Sequence, residues 1–412
     1  MNRQYDARQK SWLLYDFANS AFYTTVMAGF FPVFFKSYWS SGADAAQSTF
    51  YLGVGNSLAS LVTVLLAPVL GALADVGNLK TRLLGLTMLI GVAATAGLYW
   101  IGEGQWLLAV AMYALASVAA SSSLVFYDAL LVDVAKPEDQ HRLSTHGFAW
   151  GYLGGGVLFA VNVAMTLKPA WFGLANAAEG VRWSFISVAI WWAVFSLPIL
   201  TQLKAPQVQR KAFTALLKES IGTLKQTAQT ARQYRQVWLF LLAFFFYIDG
   251  VHTVIMMAVD YGLSIGLPQE TMITALLLTQ FVGFPAGMLM ARLAGWFGPL
   301  RCIYACIAVY AAATILAVLM SAQWQFYALA ALIGLVQGGV QALSRSVYAN
   351  MIPEDQAGAF FGFYNILGKA AAVLGPLMVG VVALATDSTR MGMLSLLVLF
   401  GLGAWFLRKV EL

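Results

Sequence analysis

The sequence predicts an all-α membrane protein: twelve transmembrane helices arranged as two pseudo-symmetric six-helix lobes. Three observations carry this. Of 412 residues, 60% are apolar and only 10% charged, whereas a soluble domain carries about one charge in four residues. Cutting the chain at its charge and Pro/Gly/Asn clusters leaves twelve apolar stretches, each of about the 20 residues that a spanning helix needs. Stretches this continuous exclude barrel strands, which alternate over about ten residues. With their short connections the twelve spans use up the length, so no separate soluble domain is expected.

The spans are 9–38, 49–74, 83–101, 105–133, 143–166, 183–203, 236–262, 271–291, 300–320, 323–350, 357–384 and 391–407, numbered helices 1 to 12. Before helix 1, the opening MNRQYDARQK leads straight into the apolar run, without a short apolar core and a small-residue cleavage site. Helix 1 is therefore expected to be retained. If the N-terminus is cytoplasmic, the cytoplasmic segments and helix ends hold 19 Lys and Arg, among them Lys80, Arg82, Lys136, Arg142, Arg292, Arg301, Arg408 and Lys409. The other side holds four, Lys36, Lys168, Arg182 and Arg390, and Lys369 lies within helix 11. This asymmetry places both termini in the cytoplasm and suits a bacterial cytoplasmic (inner) membrane. The net charge of +6 then reports orientation, with no nucleic-acid partner implied.

Between helices 6 and 7, residues 204–235 carry seven Lys/Arg and one Glu and divide an N-terminal lobe (1–203) from a C-terminal lobe (236–412). Phe213, Leu216, Leu217, Ile221 and Leu224 recur at helical spacing, and Lys211, Lys218, Lys225 and Arg232 every seven residues. This reads as a basic amphipathic helix on an anionic leaflet; a solvated linker is the plainer alternative.

The lobes echo each other. Pro137-Glu138-Asp139-Gln140 and Pro353-Glu354-Asp355-Gln356 follow helices 4 and 10 at an offset of 216, which also carries Gly71 onto Gly287. Asp16, Asn19 and Ser20 of helix 1 match Asp249, His252 and Thr253 of helix 7 at an offset of 233. A duplicated six-helix unit in parallel orientation is the internal symmetry of a two-lobed secondary transporter.

An ionisable side chain at the bilayer centre costs at least about 2.5 kcal/mol, so its position shows where water or solute must reach. Helices 3, 6, 9 and 12 have none in their apolar stretches, whereas helix 1 has Asp16, helix 4 Asp128, helix 7 Asp249 and His252, helix 10 Arg345 and helix 11 Lys369. Helices 1, 4, 7 and 10 are thus expected to line a polar path, with 3, 6, 9 and 12 facing lipid. On helix 10, Gln337, Gln341 and Arg345 are spaced by four and form one stripe, flanked by Ser344 and Tyr348. The stripe suits a substrate with acceptor groups, or hydrogen bonding between helices. Asp16 and Asp128 are the candidate partners of Arg345, which would make an ionically latched inner gate. Near the midplane, Asp249 is a natural proton carrier beside Lys369, with a static Asp249/Lys369 pair as the alternative. Asn19 and Tyr23 of helix 1, with Asp249, His252, Gln337, Gln341 and Arg345, complete the candidate substrate site; Asp249, Lys369 and Asp16 are the candidate proton-coupling set.

Glycine pairs at Gly151/Gly155, Gly283/Gly287, Gly334/Gly338 and Gly358/Gly362 give small faces for close packing or for lobes that rock on each other. The stretch Gly362 to Ala370 approaches a phosphate loop, but five residues separate its glycines and it lies inside a span. Cys302 and Cys306 have no further Cys or nearby His to complete a metal set. No H-E-x-x-H or G-x-S-x-G array occurs, so neither metal, cofactor nor enzymatic hydrolysis is expected.

The segment Gly71-Ala-Leu-Ala-Asp75-Val-Gly77-Asn-Leu-Lys80-Thr-Arg82 resembles the G-x-L-x-D-x-x-G-[RK] loop of the major facilitator superfamily. The resemblance implies that Asp75, Lys80 and Arg82 brace cytoplasmic closure, alongside the Asp128–Arg345 gate. Tyr15-Asp16-Phe-Ala-Asn19-Ser20-Ala-Phe22, Asp249-Gly250-Val-His252-Thr253-Val, and Gln341-Ala-Leu-Ser344-Arg345-Ser346 through Gly368-Lys369 resemble one branch of it, that of the fungal vacuolar amino-acid effluxer linked to autophagy and its bacterial relatives. It implies the twelve-helix fold and secondary transport. The expected function is a monomeric, proton-driven carrier of a small solute, an amino acid or short peptide by preference. A drug-like or lipid-like efflux carrier and a non-transporting receptor or scaffold are the alternatives.

Overall fold

The computed structural model describes residues 5–42, 45–203, 219, 222, 234–264, 266–320, 322–371 and 373–411. Of the basic stretch 204–235 read as an amphipathic helix, residues 204–233 lie outside the described residues apart from Glu219 and Gly222. Among the described residues there are helices and connections but no strands. Eleven helices are long and apolar enough to cross a membrane. The remaining span is the first, α1, a continuous run of four pieces: Ala7–Ala21, π-helical Phe22–Phe30, Phe31–Phe34 and π-helical Phe35–Trp39. The twelve-helix expectation therefore holds, with wide turns in α1 that its composition did not announce.

The others are α2 (Ala45–Val76), α3 (Lys80–Gly97), α4 (Trp106–Ala129), α5 (Pro137–Leu167), α6 (Ala177–Gln202), α7 (Arg235–Ser264), α8 (Gln269–Phe297), α9 (Pro299–Leu319), α10 (Gln323–Met351), α11 (Ala357–Ala370 and Leu374–Thr386) and α12 (Thr389–Leu394 and Leu396–Leu407). Helices 5 and 6 start about six residues earlier than their apolar stretches. Their first turns are polar but well formed: Pro137 opens α5, and the Asn176 side chain caps α6 by accepting from the Glu179 N–H at 2.9 Å. Helix 11, expected as one piece, is divided. Pro376 supplies no N–H to a carbonyl four residues back, which ends one helical segment and starts another.

The bundle is closed by two seams between the first six and the last six helices, α2 against α11 and α5 against α8, with α10 also packed on α5. Glycine makes both seams close. A β-carbon on Gly71 would collide with the Gly358 carbonyl, one on Gly362 with the Pro68 backbone at 2.8 Å, and one on Gly287 with Ala149 at 2.8 Å. Gly283 receives the Tyr152 ring, and Gly151 and Gly155 instead seat Ser20 and Thr24 of α1 within one half. Helices α3, α6, α9 and α12, which carry charges only near their ends, stand outside and expose Leu89, Ile190, Leu316 and Val398.

Candidate functional site

The site is built where α1, α4, α5 and α10 converge in the half of the bundle that carries both termini. Arg345 on α10 is 3% exposed, so its charge must be matched within the protein. Its Nη1 lies 3.1 Å from Asp128 Oδ1, and its Nη2 3.6 Å from Asp16 Oδ2. The remaining donors go to Ser144 of α5: Nε to the hydroxyl at 2.9 Å and Nη2 to the carbonyl at 3.1 Å. The same Ser144 hydroxyl donates to the Ala342 carbonyl at 2.7 Å. Trp12, Tyr127 and Phe148 surround the guanidinium with ring faces 4.6 to 5.3 Å from Cζ. Tyr127 donates to Asp16 Oδ2 at 3.0 Å, and Asn365 of α11 reaches Asp128 Oδ2 at 3.4 Å. Gly147 leaves the room, because a β-carbon there would stand 2.9 Å from Asp16 Oδ2 and 3.2 Å from Arg345 Nη2. Both carboxylates belong to the first half and the arginine to the second, so the cluster ties the halves together.

Toward the termini a second tie follows. Asp75, at the end of α2, accepts from the backbone N–H of Gly358 at 2.9 Å and of Ala359 at 2.8 Å. A carboxylate from one half thus caps the first turn of a helix in the other, satisfying orphan amides and the positive end of the helix dipole. Lys80 stands 3.8 Å from Asp75 and 3.0 Å from Asp133. Arg82, expected beside them, is exposed on α3 and makes no ion pair among the described residues. Standing two positions after Lys80, it projects from the opposite side of the helix. His141 to Ser346 at 2.8 Å and Asn350 to Gln140 at 3.1 Å add further cross-links. Outside the spans, Tyr5 meets His146 at 2.6 Å beneath Arg142, and burial pushes its phenol up to about 12.

Asp249 is arranged differently. Both its oxygens lie 3.0 Å from the Gly375 N–H, and Thr253 donates to it at 3.4 Å. It therefore caps the second piece of α11, in which a β-carbon on Gly375 would strike Thr253 and Asp249. Lys369, at the end of the first piece, makes no ion pair among the described residues. The side-by-side Asp249/Lys369 pair expected from depth is thus absent among the described residues in this conformation: the break in α11 offers Asp249 the Gly375 N–H and the positive end of the second piece's dipole, and Lys369 sits at a helix C-terminus, which favours a cation.

Of the other candidate substrate residues, Asn19 donates to the Tyr15 carbonyl at 3.1 Å, Gln341 to the Gln337 carbonyl at 3.2 Å, and the Tyr23 hydroxyl is buried without a hydrogen-bond partner among the described residues. Asn19 and Gln341 are thus held on their own helices, and Arg345 is spent on the cross-link. Sequence reasoning missed Ser144, Tyr127, Asn365, Gly147 and Asp133. The first four carry no charge, the signal that singled out the others, and Asp133 stands at the last position of its span. Among the described residues no cluster of His, Cys, Asp and Glu could hold a metal ion.

Comparisons with known proteins agree with this architecture. The family model described as "Vacuole effluxer Atg22 like" matches residues 41–138 and 132–412. The chain is 36% identical to the uncharacterized MFS-type transporter YxiO of Bacillus subtilis (strain 168), covering 98% of this chain and 94% of that protein. It is 26% identical to autophagy-related protein 22 of Yarrowia lipolytica, covering 63% of this chain and 48% of the fungal protein. In structure it is similar to the proton:xylose symporter XylE, with a TM-score of 0.70 at 13% identity, covering 98% and 94% of the two chains.

Proposed function

The chain belongs to the Atg22-like vacuole effluxer family of MFS-type transporters, and on that premise we propose that it moves a small zwitterionic or anionic solute, an amino acid or short peptide, by proton-driven alternating access across a bacterial cytoplasmic membrane. The family description supports export as the direction, and the basic residues support a cytoplasmic location for the terminus-bearing face.

One observation carries the reading: Arg345 is buried and held by two carboxylates of the opposite half. Such a contact exists only while that face is closed, and separating the halves requires other acceptors for the guanidinium. A substrate carboxylate supplies them, so arrival of an anionic group can exchange an intramolecular pair for a ligand pair without stranding the charge. Gln337, Gln341, Asn19 and Tyr23 would then hold the rest of the solute. Asp249 is the proton site. Protonation removes the negative charge that the second piece of α11 holds at its N-terminus, which loosens that piece from α7. Asp16 is the second candidate in the coupling set, because its protonation would remove one of the two acceptors of Arg345.

Flux into liposomes tests this. Purified protein should accumulate a labelled amino acid or short peptide against its gradient when a pH gradient is imposed, and lose that accumulation on adding a protonophore. Folded protein that moves no amino acid or short peptide with or without a pH gradient overturns the reading.

A further inference from the structure

A cleft on the outer surface of the second half lies apart from the latch. Helices α8 and α9 are joined through Gly298, whose φ of +85° permits a one-residue reversal. The two helices diverge from that point and leave a cavity of about 440 Å³ closed on one side by α10. Its walls are apolar, with Phe297, Leu289 and Leu335 exposed at the rim and Cys306 buried at the floor. The one charged residue among those lining it is Arg301, in the first turn of α9, exposed and without an ion pair among the described residues.

Depth gives the cleft its meaning. From Arg301 to Val309 the wall descends eight residues, about 12 Å at 1.5 Å per residue, and along α8 from Phe297 to Ala286 eleven residues, about 16 Å. Half of a bilayer's hydrocarbon core is about 15 Å. An apolar slot one leaflet deep, topped by a lone guanidinium at the membrane edge, matches an acyl chain below a phosphate. Arginine presents its donors in the planar fork that phosphate oxygens accept, and basic pockets between helices at a membrane face recruit anionic head groups.

We propose that this cleft binds one anionic phospholipid of the leaflet on the terminus-bearing face, its phosphate on Arg301 and one acyl chain between α8 and α9. The site involves no residue of the latch and stands independently of any transport cycle. Its occupancy would fasten α8 to α9 and so stiffen the half whose α8 forms a seam with α5.

Native mass spectrometry and thermal unfolding of the full-length protein in detergent, titrated with phosphatidylglycerol, phosphatidylethanolamine or phosphatidylcholine, test it. Expected are one retained phosphatidylglycerol and a preference of about tenfold over both zwitterionic lipids, the size of one charge-assisted contact. Arg301→Gln should bring the three lipids level, whereas Arg301→Lys should keep part of the preference. Ala305→Trp, at an exposed position that keeps Arg301, should fill the slot and remove the retained lipid. Equal retention of all three lipids by the unmodified protein, a preference that survives Arg301→Gln, or a retained lipid that survives Ala305→Trp each overturns the proposal.

Discussion

Arg345 and Asp128 are 217 positions apart, yet Nη1 of one lies 3.1 Å from Oδ1 of the other inside a buried cluster that joins the two halves of the bundle. A latch made of one guanidinium and two carboxylates is asymmetric in its failure. Loss of either carboxylate leaves the other as partner, whereas loss of the arginine leaves two negative charges facing each other.

Arg345→Ala is therefore expected to be the most damaging change in the cluster. Removing one partner of a buried pair costs about 3–5 kcal/mol, enough to open the terminus-bearing face in most molecules and to lower transport at least tenfold. Arg345→Lys should fail nearly as badly, because an ammonium cannot reach Asp128 and Ser144 with a planar fork. Spin-label distances between α5 and α10 would read the opening. Unchanged distances and unchanged flux in both variants would remove Arg345 from the gate.

Asp75→Ala should weaken the same closure by a smaller amount. Loss of an N-terminal cap costs about 0.5–2 kcal/mol, and here the cap crosses the seam to Gly358 and Ala359. Amide exchange at the start of α11 should accelerate about tenfold, with α2 itself unaffected. Arg82→Ala, by contrast, should leave closure and flux unchanged, since Arg82 makes no ion pair among the described residues. A large effect of Arg82→Ala would show that it is recruited in another conformation.

Gly71→Val places a side chain where the Gly358 carbonyl now lies. The α2–α11 seam should be forced apart, and a cysteine placed at Ser346 should become reactive to water-soluble maleimide in the variant but not in the parent. If Ser346→Cys stays protected, the seam tolerates the bulk by sliding and the close glycine contact is not required for closure.

Asp249→Asn keeps the shape of the cap on the second piece of α11 but cannot release a proton. Accumulation driven by a pH gradient should disappear, while exchange of labelled for unlabelled substrate across the membrane should remain. Concentrative uptake by Asp249→Asn would move the coupling role to Asp16.

Topology is open to direct measurement. Cysteines at Lys136 and Asp387 lie at opposite ends of the bundle, and only the Asp387 position should react in intact cells with an impermeant thiol reagent. The reverse labelling would invert the orientation drawn from the basic residues.

The sequence alone determined the spans, the duplication and the helices that carry polar groups. In a membrane each segment must satisfy its own backbone hydrogen bonds and present apolar side chains for about 20 residues, so the signal is local and readable one helix at a time. It also named Arg345, Asp16 and Asp128 as a group, because charges inside spans are costly enough to need partners. Only the tertiary structure decided how those groups are engaged. Ser144 and Gly147 join the latch through the rotation of α5 against α10, Asp75 finds amides 283 and 284 positions away, and Asp249 turns to the break in α11 and away from Lys369. Each of these depends on the relative rotation and depth of two helices, which are set by glycine-lined seams and helix ends that meet in space, and spacing along one helix contains no record of them.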